Sequence, residues 1–207
     1  VLSQPYDTGG HTKLVEQWIK NFGFQDNHSA VIINHKCAIP NSFKDIITLN
    51  GTIFQLQKGD FETKAKQLAL VASNFEKVIL HIHPFEILAN LAFANSHFTR
   101  PVGFLNHADH MFSCGYAVSD VVFELSTEGK EFSKTYRGIQ NTHVVHIPIE
   151  EKNSTLSKEN AKKYLNIADN KIIILSIASE YKYGDGNDFI DMAKRIIALK
   201  ENIEFIL

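Results

Sequence analysis

Val78-Ile79-Leu80-His81-Ile82 is a continuous apolar run, and Pro84 follows it. Ile87, Leu88, Leu91 and Ala92 then recur at helical spacing, and Pro101-Val102-Gly103-Phe104-Leu105 forms the next apolar run. An apolar run without period-2 alternation is the mark of a strand buried on both faces. The intervening helical period supplies the cover, and Pro84 suits the first turn of that helix. The stretch therefore reads as strand, helix, strand, the repeating unit of a parallel α/β sheet.

The same alternation extends both ways. Toward the start, Gly9-Gly10 breaks a first strand, and His11 to Phe22 sets Leu14, Val15, Trp18, Ile19 and Phe22 on one helical face. Ala30 to Asn34 reads as a second strand, Phe43 to Leu49 as a short helix and Thr52 to Leu56 as a strand. Asp60 caps a helix carrying Ala65, Leu68, Ala69 and Ala72. Toward the end, Val118 to Leu125 reads as a strand, Thr127 to Arg137 as a helix and Val144 to Ile147 as a strand closed by Pro148. Glu150 to Ser157 turns polar and charged, as a linker does. A helix to Leu165, a buried strand from Lys171 to Ile177, a helix from Asp188 to Leu199 and a final apolar run then begin a new βαβ unit. The expected architecture is a doubly wound, mostly parallel Rossmann-like sheet over residues 1–150, with the truncated start of a second Rossmann-like domain over residues 151–207. The opening Val1-Leu2-Ser3, without Met, reads as a strand already under way. The final run Asn202 to Leu207 stops inside a strand, so both ends suggest excision from something longer.

Composition narrows the function classes. The 207 residues are 44% hydrophobic and 21% charged with a formal charge of −2, so the chain lacks the basic field that phosphate-backbone binding requires, and nucleic acid is not an expected partner. Cys37 and Cys114 stand far apart with no CxxC spacing, which points to reduced thiols and a cytoplasmic protein. No apolar run approaches the ~18–20 residues of a membrane span. Peripheral contact with the inner face of a membrane stays open.

Ligands of an open α/β sheet bind beyond the carboxyl ends of its strands, and the chemistry-bearing residues gather there. Gly9-Gly10-His11-Thr12 lies between a strand and a helix, where glycines admit a ligand to the backbone and the helix start offers free N–H groups. The spacing falls short of GxGxxG and reads equally as a tight turn. His81 and His83 flank the end of one strand and share a side of it. His81, inside the apolar run, reads as a core histidine, and His83 as the rim candidate. The densest group is Asn106-His107-Ala108-Asp109-His110, directly after Leu105. A carboxylate beside an imidazole fixes its tautomer and raises its basicity, which a general base needs. The HxH and HxDH histidines could instead ligate metal in a hydrolase, although a whole helix and strand separate the two pieces.

The ordered set Gly9-Gly10-His11-Thr12, His81-x-His83-Pro84-Phe85, Asn106-His107-Ala108-Asp109-His110 before Phe112 and Gly115, Ser119-Asp120-Val121-Val122, Tyr136-Arg137-Gly138-Ile139 and His146-Ile147-Pro148-Ile149 resembles bacterial glycosyltransferases of the GT-B fold. The resemblance covers nearly the whole chain. It implies an acceptor-side domain followed by the start of the nucleotide-sugar-binding domain, with sugar passing from a nucleotide-sugar donor to a glycan, lipid-linked or protein acceptor. It implies His107 as the histidine that contacts the transferred sugar or acts as base, with Asp109 and His110 orienting it or binding acceptor hydroxyls. Gly9, Gly10, His11 and His83 would meet substrate, Arg137 matches a family position, and Lys182, within Ser176 to Lys182, would supply charge to the donor diphosphate. No cofactor beyond the nucleotide sugar and no metal are implied, because helix N-termini and basic side chains stabilise the leaving diphosphate. A nucleotide-sugar epimerase and a noncatalytic sugar-binding module on the same fold remain alternatives, beside the metallohydrolase.

Overall fold

A computed structural model describes residues 1–7, 9–22, 27–149, 156–178, 180–184 and 188–206. The chain divides into two compact units, Val1–Glu150 and Glu151–Leu207.

The first unit is α/β, with every strand pair parallel. Its elements run α1 (Gly10–Phe22), β1 (Ala30–Ile32), α2 (Asn41–Thr48), β2 (Ile53–Gln55), α3 (Phe61–Ala72), β3 (Val78–Leu80), α4 (Leu88–Phe93), β4 (Val102–Asn106), a 3-10 turn at Cys114–Val118, β5 (Val121–Glu124), α5 (Thr127–Arg137) and β6 (Thr142–Val144). β1 pairs with β2, and β3, β4, β5 and β6 form a four-stranded sheet in that order. The N-terminal segment joins the two. Leu2 bridges in parallel to Ile32 on one side and to His81 on the other. Leu2 N donates to Val31 O at 2.9 Å, Ile33 N to Leu2 O at 2.9 Å, and His81 N to Val1 O at 2.8 Å. From this central segment the chain runs outward through β1 to β2, then crosses back to β3 and continues to β6, the strand order of a doubly wound sheet.

Alternate residues of β1 feed two separate cores, which is what cover on both faces requires. Val31 and Ile33 join Leu68, Leu80, Leu88, Phe104 and Val122 on the side of α3 and α4. Ala30 and Ile32 join Leu2, Val15, Phe43 and Ile47 on the side of α1 and α2. All five residues of β4 are buried. Asp60 caps α3, its Oδ1 accepting from Thr63 N at 2.7 Å, and Ser126 caps α5, its side chain accepting from Gly129 N.

Three boundaries differ from the sequence reading. Pro84 sits in a turn rather than in a helix. Glu86 N donates to His83 O at 3.0 Å, and the Glu86 side chain accepts from Leu88 N at 3.0 Å, so α4 begins only at Leu88. β6 pairs at Thr142–Val144, earlier than expected, because Val122 sets the register opposite Thr142. The 3-10 turn at Cys114–Val118, before β5, was not foreseen in the apolar pattern.

The second unit contains α6 (Lys158–Tyr164), β7 (Ile172–Leu175), a 3-10 turn at Glu180–Lys182, α7 (Phe189–Leu199) and β8 (Ile203–Ile206). β7 and β8 pair in parallel. Ser157 caps α6 by accepting from Asn160 N at 3.2 Å. Most of the expected linker, 150–155, lies outside the described residues. Among the described residues no helix is long and apolar enough to cross a membrane.

Gly51 is fixed by close approach. A Cβ there would lie 1.8 Å from the His28 carbonyl oxygen and 2.5 Å from its carbon, and both are backbone atoms that cannot rotate away. Gly51→Ala is expected to lower unfolding free energy by about 3 kcal/mol, the upper range for forced overpacking. A urea midpoint equal to that of the unaltered chain would contradict this close approach.

Candidate functional site

Strand order reverses between the central segment Val1–Ser3 and β3, and at that point the connections beyond the carboxyl ends diverge to opposite faces, the place where open α/β sheets bind their ligands. Three connections meet there: the segment that leads from Ser3 through residues 4–7 toward α1, the turn after β3, and the turn after β4. Backbone and side-chain hydrogen bonds fix them to one another. Ser3 Oγ accepts from His83 N at 2.9 Å, Thr12 Oγ1 accepts from Tyr6 N at 2.7 Å, and Cys114 N donates to Pro84 O at 2.7 Å.

Three imidazoles gather at this point. His11, in the first turn of α1, stacks on His107 with ring centroids 4.4 Å apart and planes 28° apart. His83 lies 6.0 Å from His11, and Tyr6 meets His83 edge-on at 6.4 Å. One turn-pair further along α1, Trp18 packs edge-on against His81 at 5.7 Å and against Phe123 at 5.3 Å. His81 is thus a core residue while His83 is exposed. Beside the cluster, Gly9 takes φ +110°, a conformation side chains rarely adopt, and a Cβ on either Gly9 or Gly10 would meet nothing within 4 Å. Gly9 is required by its backbone, and the space above both glycines is open.

Burial sets the charge of the cluster. His11 is pushed down to about 3, first by loss of solvent and then by the neighbouring His107 and His83 rings. His107 is lowered by burial and then by His83, and His81 lies well below the usual histidine range, again from burial first. The His11 and His107 rings are therefore neutral at pH 7. Both ring nitrogens of His11, Nδ1 of His107 and Oδ1 of Asn106 are shielded from solvent with no hydrogen-bond partner in the protein. Buried polar atoms are rarely left so, and orphaned atoms grouped at the switch point of the sheet are ones that a polar ligand would satisfy.

The remaining sequence candidates separate from this group. Asp109 does not orient His107. The chain turns at Ala108, which is buried, so Asp109 and His110 face outward, with Asp109 Oδ1 3.7 Å from His110 Nδ1 and both side chains more than half exposed. Among the described residues no hydrogen bond or ion pair joins Asp109 to His107. Arg137 is engaged within the protein rather than presented to substrate. Its Nη1 donates to Tyr116 Oη at 2.7 Å and Ser133 Oγ at 3.3 Å, and its Nη2 donates to the carbonyls of Asp109 and Met111. Lys182 belongs to the second unit, at the end of its 3-10 turn. Ser179, in the same expected motif, lies outside the described residues.

Among the described residues no three His, Cys, Asp or Glu side chains are placed to hold a metal ion. His81 turns into the core against Trp18 and His110 turns outward, so of the HxH and HxDH histidines His83 and His107 come near one another while His81 and His110 stand apart. Sequence reasoning missed Glu124. It is fully buried at the end of β5 and accepts from Asn106 Nδ2 at 2.8 Å and Ser133 Oγ at 2.5 Å. A carboxylate closing the apolar run Val121-Val122-Phe123 was the available signal.

Compared with known proteins, the sequence matches no family model. No curated protein matches it significantly either.

A histidine held neutral in the fold but free to protonate when unfolded binds fewer protons in the native state between pH ~6.5 and the folded value near 3. Stability therefore falls as pH drops through that window. The loss in unfolding free energy from pH 7 to pH 5 is expected to be smaller in His11→Gln than in the unaltered chain, measured by urea unfolding. Equal losses would mean that His11 is not held neutral.

Proposed function

We propose that the chain is the acceptor-side unit, with the beginning of the donor-binding unit, of a nucleotide-sugar-dependent glycosyltransferase of the GT-B architecture. The observation that carries this reading is the stack of two neutral imidazoles, His11 on His107, at the switch point of a parallel sheet beside an open glycine turn. Sugars offer hydroxyl groups that both donate and accept. A neutral imidazole matches them because it too has one donor and one acceptor nitrogen, whereas a charged one has donors only.

In this reading His107 takes the proton of the acceptor hydroxyl as that oxygen attacks the anomeric carbon of the donor sugar and the nucleoside diphosphate departs. Its lowered proton affinity keeps it in the base form at neutral pH. His11 packs against one face of that ring and fixes its plane. His83 and the backbone at Gly9 and Gly10 line the same crevice and contact substrate hydroxyls or the donor phosphates. Stabilisation of the leaving diphosphate falls to helix N-termini and basic groups of the donor-binding unit. The acceptor is a glycan, lipid-linked or protein hydroxyl, and the location is cytoplasmic, with the inner membrane face compatible with a lipid-linked acceptor.

The test is a transfer assay on the enzyme with its donor-binding region complete, offering a panel of nucleotide sugars with and without acceptors in the presence of chelator and detecting released nucleotide. Acceptor-dependent release is expected to survive chelation. His107→Ala is expected to lower it by roughly 100-fold or more, the range of general-base contributions, with the circular dichroism spectrum unchanged. Near-normal transfer by this variant would remove His107 from the mechanism, and release abolished by chelator would return attention to metal-assisted hydrolysis.

A further inference from the structure

The turn that carries His107 is held by more polar machinery than its folding requires. β4 and β5 pair in a register that sets Asn106 opposite Glu124, and the Asn106 side chain donates to Glu124 Oε2 at 2.8 Å. The second carboxyl oxygen of Glu124 accepts from Ser133 Oγ on α5, and Ser133 Oγ accepts in turn from Arg137 Nη1. The guanidinium crosses the Tyr116 and Phe132 rings at 5.1 Å and 4.7 Å and ends on the carbonyls of Asp109 and Met111. Met111 N donates to Ala108 O at 3.0 Å and closes the turn. His107 thus stands between two fixed points, Asn106 held by Glu124 before it and Asp109 with Met111 held by Arg137 after it.

Such a network is costly. Glu124 is fully buried, and taking a carboxyl out of water is repaid only when its hydrogen-bond partners are in place. Apolar residues of similar volume fill such positions at equal or better stability, so fold stability alone does not call for the network. It gives the turn one geometry. Catalytic groups need this, because a displacement of about 1 Å at a reacting group can cost ~100-fold in rate.

We propose that Arg137 and Glu124 are positioning residues that fix the His107 ring in its place against His11. The importance of that place for transfer rests on the function proposed above. Two readouts separate the two ideas. The first is the imidazole ¹H–¹⁵N spectrum of the ¹⁵N-labelled chain across a pH series, with the His107 signals identified by their loss in His107→Asn. In Arg137→Met the His107 titration is expected to rise toward that of a solvated histidine, near 6.5. His11 and His83, the titratable groups facing His107, are the same in both proteins. Arg137→Lys keeps a donor for one carbonyl and is expected to restore part of the shift. Tyr116→Phe removes only one acceptor of the guanidinium and is expected to move His107 in the same direction by less, which keeps the test open if Arg137→Met does not fold. An unmoved His107 titration in a folded Arg137→Met or Tyr116→Phe chain overturns the proposal. The second readout is transfer by the enzyme with its donor-binding region complete, where Arg137→Met is expected to lower kcat by about 100-fold with KM for the donor little changed. A moved titration with kcat at the wild-type value would uphold the clamp and sink the role of His107 in transfer.

Discussion

The first unit depends on three residues of backbone. Val1 to Ser3 enters between β1 and β3 and satisfies the hydrogen-bonding groups of both neighbours, so that a two-stranded and a four-stranded sheet act as one surface. Leu2 places its side chain in the core beneath α1 and α2, and Ser3 reaches forward to hold the backbone of His83. Because every pairing is parallel, all carboxyl ends lie along one edge. Because the chain leaves this central segment in one direction and returns to its other side, the connections part there and make room for a ligand. The location of the histidine cluster follows from that single insertion.

Burial then gives the cluster its character. The histidines near the crevice differ less in chemistry than in how much water they keep. His81 is sealed against Trp18 and serves packing, His11 and His107 are enclosed enough to stay uncharged, and His110 is mostly exposed beside Asp109. Five imidazoles along one edge of the sheet thus divide into a core residue, a stacked pair and two exposed groups, His83 and His110. The division is made by the direction of the chain at Ala108 and by the first turn of α1, neither of which costs the hydrophobic cores anything.

The sheet and most of its helices were legible because continuous apolar runs and helical periodicity report burial directly. α5 spans Thr127–Arg137, the range read from the sequence, and Asp60 opens α3 as expected. Periodicity failed where hydrogen bonds outvote it, as at Pro84, where the Glu86 side chain caps α4 a turn later. The site was legible as a set of residues but not as a set of partners. Asp109 stands two positions from His107, and sequence proximity suggested a dyad, yet a turn centred on a buried alanine sends the two side chains apart. His11 and His107 are 96 positions apart (107 − 11), and their stacking comes from the switch point and from no local pattern. Arg137 stood out in the sequence as a substrate-binding candidate and Glu124 only as a carboxylate closing an apolar run, but their joint network spans β4, β5 and α5 and no one of these segments shows it.

The face-to-face contact of His11 and His107 also limits what the crevice can hold. At 4.4 Å, with little water between them, a proton placed on one ring raises the cost of placing another on its neighbour. The pair is therefore a vessel for a single positive charge. A proton taken up by one ring must leave before its neighbour can take another.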